Sequence, residues 1–174
     1  MIRDTLMSPR DINRRSFLAT SGIVAVLPFL SACGSAVQAR TAKGKFQITK
    51  TEAQWRRKLT RAEYYVMRDE GTERAFSSPL DTEKRKGTFV CKGCSNKLYS
   101  SAHKYDSGTG WPSFWQPHDK GAVGKSVDYF LGYPCTEVHC ADCGSHLGHI
   151  FGDGPRPTGE RHCINGIAME FVPA

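Results

Sequence analysis

Cys91-Lys92-Gly93-Cys94 and Cys140-Ala141-Asp142-Cys143 decide how this chain folds. Each pair leaves two residues between its cysteines, the gap at which both thiolates of a tight knuckle turn converge on one metal ion. Lys92, Gly93, Asp142 and the following Gly144 are the polar and small residues that such knuckles hold. Four sulfurs fill a tetrahedral shell and leave no open position, so the expected ion is one structural zinc, with Cys91, Cys94, Cys140 and Cys143 as its ligands. The two pairs stand 45 residues apart, far more than in a local zinc ribbon. A shared ion would therefore tie the start of a β-rich region to its middle. The competing reading is a disulfide within each pair, which an oxidising compartment favours.

Outward from the knuckles, short segments rich in aromatic and β-branched residues read as strands. Thr88-Phe89-Val90 leads into the first knuckle and Leu98-Tyr99 leaves it; Val127-Asp128-Tyr129-Phe130-Leu131, Thr136 to His139, Ile150-Phe151, Arg161 to Ile164 and Ala168 to Phe171 follow. Upstream, Glu52, Trp55, Leu59, Tyr64, Tyr65 and Met67 recur at helical spacing, and Thr60 reads as an N-cap between two short helices. Such a stripe faces a core. The segment from Lys104 to Trp115 is dense in glycine and aromatics, which suits a loop shaped for a ligand better than a helix. The reading is a mainly β, α+β domain with a modest core that a metal staple would help to hold.

The formal charge of the 174-residue chain is +7, and residues 1–39 carry four arginines against two aspartates, leaving +5 beyond them. That charge is scattered, and no basic stripe interleaved with aromatics argues for nucleic acid as a partner. Arg14-Arg15-Ser16-Phe17-Leu18 resembles a twin-arginine export signal, followed by an apolar stretch from Phe17 to Ala32 that is short for a membrane span. Leu30-Ser31-Ala32-Cys33 resembles the box cleaved before a lipid-modified cysteine, while Val37-Gln38-Ala39 offers an ordinary small-residue cleavage site. Residues 1–32 are thus expected to be an export signal, 33–50 a lipid-attachment cysteine and polar tether, and 51–174 the functional domain, held on the periplasmic side. Membrane contact would then come only through a lipid on Cys33.

Cys163 belongs to neither knuckle. In a strand, alternate residues share a face, so Arg161, Cys163 and Asn165 project together and away from His162 and Ile164. An arginine beside a thiol favours the thiolate, which is the attacking species. Asn165 offers an amide donor, and His146 and His149 can supply protons or hydrogen bonds near neutral pH. A buried inert thiol with satisfied histidines is the plainer alternative.

Gly108-Thr109-Gly110-Trp111-Pro112-Ser113-Phe114, Thr136-Glu137-Val138, His146-Leu147-Gly148-His149-Ile150-Phe151 with Asp153-Gly154-Pro155, and Arg161-His162-Cys163-Ile164-Asn165 together resemble the motif set of B-type methionine sulfoxide reductases, in order and spacing, over about residues 50–172. The paired knuckles are similar to those of the zinc-containing members. The resemblance implies two small antiparallel sheets with short N-terminal helices, and reduction of the R epimer of methionine sulfoxide in oxidised proteins or peptides. It casts Cys163 as nucleophile, Trp111 and Phe151 as the substrate-binding aromatics, and His149 with Asn165 as the groups that polarise or protonate the sulfoxide oxygen. Asp153 would pair with Arg161 beside the thiolate; ordinary turn chemistry explains an Asp-Gly-Pro as well.

Attack leaves a sulfenic acid that must return to thiol. Many members of that family place a recycling cysteine between the two glycines before Trp111, where this chain has Thr109. Of the seven cysteines, Cys135 is the one not assigned to lipid, zinc or attack. It is the candidate recycling cysteine, against direct reduction of the sulfenic acid by an external thiol. A thioredoxin-like reductant is expected by resemblance. Two other classes compete: a zinc-dependent binding module, indifferent to Cys163, and a Cys-His hydrolase, which needs an oxyanion hole.

Overall fold

A computed structural model describes residues 44–129, 132 and 134–174. The export signal and both cleavage sites lie outside the described residues. Two helices come first, α1 (Glu52–Lys58) and α2 (Arg61–Arg68), each opened by a capping box, Thr51 with Gln54 and Thr60 with Glu63. In each box the threonine hydroxyl accepts from the third helical N–H while that residue's side chain takes the threonine N–H. Trp55, Leu59, Tyr64, Val66 and Met67 are buried, whereas Tyr65 is 53% exposed. The cap at Thr60 restarts the helical phase, so Val66 rather than Tyr65 takes the inward position.

Nine strands form two antiparallel sheets among the described residues. One has the order β2 (Lys97–Ser100), β1 (Gly87–Cys91), β9 (Met169–Pro173). The other runs β3 (Lys104–Tyr105), β4 (Ser113–Phe114), β8 (Arg161–Ile164), β7 (His146–Phe151), β6 (Cys135–Cys140), β5 (Val123–Asp128). The sheets meet through aromatics. Phe114 of β4 lies edge-on to Phe89 of β1 at 5.0 Å and stacks on Tyr99 of β2 at 4.3 Å, with all three fully buried.

Two sequence expectations shift. The fifth strand runs Val123–Asp128 and so begins earlier than the expected 127–131, of which 130 and 131 lie outside the described residues: Val123, Lys125 and Val127 alternate with Gly124 and Ser126 along six paired positions opposite β6. Residues 44–50 are not a free tether. Phe46 sits edge-on to His139 at 5.7 Å, and Ile48 donates its N–H to Asp142 O at 2.9 Å while packing against the core. Two apolar residues on one face of an extended segment cover the second knuckle.

Candidate active site

The knuckles come together. Cys91 ends β1 and Cys140 ends β6, so the four cysteines join the two sheets, and their sulfurs all lie within 4.8 Å of one another. Cys91 to Cys143 is 3.7 Å and Cys94 to Cys140 is 3.5 Å. A tetrahedron with zinc–sulfur bonds of about 2.3 Å has sulfur edges of roughly 3.8 Å, so the residues fit one ion. The near neighbours belong to different pairs and all four thiols are free, which overturns the alternative of a disulfide within each pair. The residues nearby serve this corner: Asn96 Nδ2 donates toward the Cys140 sulfur, and Arg68 Nη1 of α2 donates to Cys143 O while its guanidinium lies 4.8 Å over the Trp55 ring.

The candidate reactive residues lie in one row across the larger sheet. Cys163 of β8 faces Ser113 of β4 on one side and His149 of β7 on the other; His149 faces Glu137 of β6, which faces Ser126 of β5. Directly paired residues in an antiparallel sheet project to the same face. The register therefore assembles a site from five strands. Gly148 permits it, because a Cβ there would stand 2.1 Å from the Cys163 carbonyl oxygen. Arg161 and Cys163 share the row's face, whereas His162 turns into the core between Tyr99 Oη at 3.1 Å and Glu160 Oε2 at 3.1 Å.

A pocket of about 290 Å³ opens over the row, lined by Thr72, Trp111, Gly148, His149, Phe151, Cys163 and Asn165. A wider cleft of about 700 Å³ runs between α2, the 72–80 segment and β9. It holds no cysteine or histidine, so the smaller pocket is the one with chemistry in it. Trp111 and Phe151 supply flat apolar walls, and Trp111 is aimed by its indole N–H, which donates to Glu73 O at 3.2 Å. Asn165 is held from two sides: Nδ2 donates to Leu147 O at 3.0 Å and Oδ1 accepts from Glu73 N at 2.9 Å. Those partners fix which amide atom is nitrogen and leave one N–H for a ligand.

Arg161 forms a two-pronged pair with Asp153, Nε to Oδ1 at 2.8 Å and Nη2 to Oδ2 at 2.9 Å, and its guanidinium lies 4.5 Å over the Phe151 ring. Burial pushes the Cys163 thiol above its ordinary range, and the Arg161 charge with the Thr109 hydroxyl draws it part of the way back. Arginine thus acts in the direction the sequence implies, but desolvation outweighs it. Thr109 is not an inert replacement: its hydroxyl helps to draw the Cys163 thiol down and lies 2.8 Å from Ser107 Oγ, itself 2.7 Å from Ser113 Oγ.

His149 Nε2 is hydrogen-bonded to Asp128 Oδ2, and a carboxylate only accepts, so that nitrogen carries the proton and Nδ1 is left to act as base or acid. His146 sits behind it, 2% exposed, with Nδ1 2.8 Å from Glu137 Oε1 and the two rings 5.4 Å apart. It does not line the pocket. Cys135 is separated from β8 by two strand steps, since β6 pairs with β7 and β7 with β8. Two steps are about 10 Å, beyond the Cα spacing a disulfide spans. The Cys135–Cys163 bridge expected from the cysteine count cannot close in this conformation.

Asp128, Glu73, Thr109 and Ser107 escape the sequence reading. A period-2 strand ending in an acid facing a histidine strand is a signal for Asp128, but only the register turns it into a contact. Nothing in the sequence near Glu73 marks it.

The SelR domain family matches residues 59–173 of the chain. Among curated proteins, the chain is 47% identical over 126 residues to the "Peptide methionine sulfoxide reductase MsrB" of Leptospira interrogans, covering 72% of this chain and 96% of that protein. It is 47% identical over 135 residues to the protein of the same name from Bradyrhizobium diazoefficiens, covering 78% and 97%. A third, from Leifsonia xyli subsp. xyli, is 48% identical over 132 residues, covering 75% and 95%.

Proposed function

We propose, from the premise that this chain belongs to the SelR-domain family of peptide methionine sulfoxide reductases, that it reduces the R epimer of protein-bound methionine sulfoxide by way of a sulfenic acid on Cys163. Methionine sulfoxide reduction itself follows from membership, as does the need for an oxidised substrate and a reductant. The single observation that carries the finer reading is the pocket in which a thiol, an aimed indole, a free amide N–H and a histidine converge.

The steps follow from the residues. The substrate's S-methyl group packs on Trp111 and Phe151, which leaves the sulfoxide oxygen for the free N–H of Asn165 and for His149. The Cys163 sulfur attacks the sulfoxide sulfur; the sulfur–oxygen bond breaks as the oxygen, protonated from His149, passes to Cys163. Two electrons move from the cysteine to the substrate, giving methionine and a cysteine sulfenic acid. Because burial favours the neutral thiol, its proton must leave as substrate binds, and the base nitrogen of His149 and the Arg161 charge favour that departure. An external thiol then condenses with the sulfenic acid, releasing water, and a second thiol restores Cys163. The reductant is thioredoxin-like. The zinc site, with four sulfur ligands, would brace the fold and carry none of these steps.

Assay of both epimers of a methionine sulfoxide peptide with a dithiol tests the reading. The R epimer is consumed by the wild type and not by Cys163→Ser; turnover of the S epimer, or a fully active serine variant, refutes it. A zinc-dependent binding module predicts the reverse, indifference to Cys163. Mass analysis after one equivalent of sulfoxide without reductant should find one oxygen on Cys163 and a free Cys135 thiol.

The twin-arginine and lipoprotein-like features support an exported enzyme, anchored by a lipid on Cys33. Fractionation reads this directly: Cys33→Ala shifts the protein from the membrane to the soluble periplasmic fraction, and an unchanged distribution argues for cleavage after Ala39.

A further inference from the structure

Glu73 stands between the two groups that meet substrate. Its backbone N–H donates to Asn165 Oδ1 at 2.9 Å and its carbonyl accepts from Trp111 Nε1 at 3.2 Å. Its carboxylate reaches the turn after Asn165, where Oε1 accepts from Gly166 N–H and Oε2 from Ile167 N–H at 3.0 Å. One residue thus bonds two segments distant from it in sequence: the Trp111 loop, and the stretch that runs from Asn165 into the turn Gly166–Ala168. The bonds are arranged so that the side chain anchors the backbone and the backbone aims the site.

We infer that Glu73 is a positioning residue, whose carboxylate clamps the 72–74 segment onto the turn after β8 so that its peptide groups hold Trp111 and Asn165 in their reactive orientation. The inference rests on the proposed reading of the pocket. A carboxylate is the side chain this geometry needs, because two N–H donors converge and each oxygen takes one. Glutamine has one accepting oxygen and would set an N–H against the second donor. Burial raises the Glu73 carboxyl and the two backbone N–H groups lower it, with a net rise, so the group is confined rather than freely hydrated. Without the Glu73 N–H, Asn165 Oδ1 loses the bond that fixes its flip, and the N–H aimed at substrate is no longer specified. Misplacing such donors by about an ångström costs on the order of a hundredfold in rate.

A double-mutant cycle on the zinc-loaded protein tests the inference. Glu73→Gln should lower kcat/KM for the R sulfoxide peptide by about thirtyfold, within the range that misplaced groups cost, and should leave the zinc content and far-ultraviolet circular dichroism of the wild type intact. In the Asn165→Ala background the same change should cost no more than about threefold, because one of its two targets is already gone and only the aiming of Trp111 remains to lose. Losses that multiply fully would overturn the inference. Glu73→Asp, which keeps the charge but recedes by one methylene, should show the same non-additivity with a smaller loss and serves if the glutamine variant folds poorly.

A second measurement does not need turnover. The indole N–H resonance of Trp111, assigned by its disappearance in Trp111→Phe, should move upfield and exchange faster with solvent in Glu73→Gln. An unmoved resonance also overturns the inference. Should the wild type reduce no sulfoxide, the function fails, and this resonance still decides the role of Glu73.

Discussion

Cys163 sits between opposing influences: burial raises its thiol, while Arg161 and Thr109 draw it down. A group whose pKa is raised reacts faster as pH rises, so alkylation of Cys163 by iodoacetamide should have its midpoint on the alkaline side of an ordinary cysteine. Arg161→Gln removes the positive charge that draws the thiol down and should push that midpoint higher; a fall or no change contradicts the assignment. Thr109→Val should act in the same direction by less, since a hydroxyl is polar but carries no charge. Asp128→Asn leaves His149 Nε2 a neutral partner that can accept or donate, so the tautomer is no longer fixed. Its kcat should fall on the order of tenfold to a hundredfold with little change in zinc content. Cys163, Arg161 and His149 were legible as residue types at the right spacing. The net direction of the thiol's shift was not, because desolvation depends on what the rest of the fold places around it.

At the level of elements, β7 and β8 do most to build the pocket. Their register sets His149 beside Cys163, and Gly148 lets β8 approach to a distance that a Cβ would forbid. Gly148→Ala should separate the two strands and cost about 2–4 kcal/mol in urea unfolding, the range of an overpacked or distorted core site, together with nearly all activity. The helices are locally encoded: both capping boxes read from Thr51-x-x-Gln54 and Thr60-x-x-Glu63, and Thr60→Ala should cost about 1 kcal/mol while leaving kcat unchanged. Strands were legible as apolar and β-branched runs. The six-stranded order was not, since pairing β8 with β4 sets Cys163 opposite Ser113, some fifty positions away, and no local pattern specifies such partners.

Over the whole molecule, the four-cysteine corner holds the smaller sheet to the larger one, and α2 leans on it through Arg68. Stripping the metal with a chelator should lower the thermal midpoint by ten degrees or more, as expected when the binding energy of a structural ion, about 10 kcal/mol or more, is coupled to folding. Activity should fall with the loss of structure and not before it, with a midpoint unmoved by the chelator as the contrary result. Acid acts through a different part. Burial raises the Glu137 carboxyl, but hydrogen bonds from His146 and Ser126 outweigh it, so its folded-state pKa lies below the ordinary value. Its stabilising contribution is complete above the unfolded pKa and is lost as pH falls through the folded one. The sequence by itself determined the residue types: four thiols spaced for one ion, a lone cysteine in a strand beside an arginine, a glycine-rich tryptophan loop and two capped helices, all of which depend on neighbours close along the chain. Only the tertiary structure decided that Asp128 holds His149, that Glu73 ties Trp111 to Asn165 and that Cys135 stands out of reach of Cys163. Those contacts depend on strand order and register, which are settled when the whole core packs and leave no mark on any short stretch of sequence.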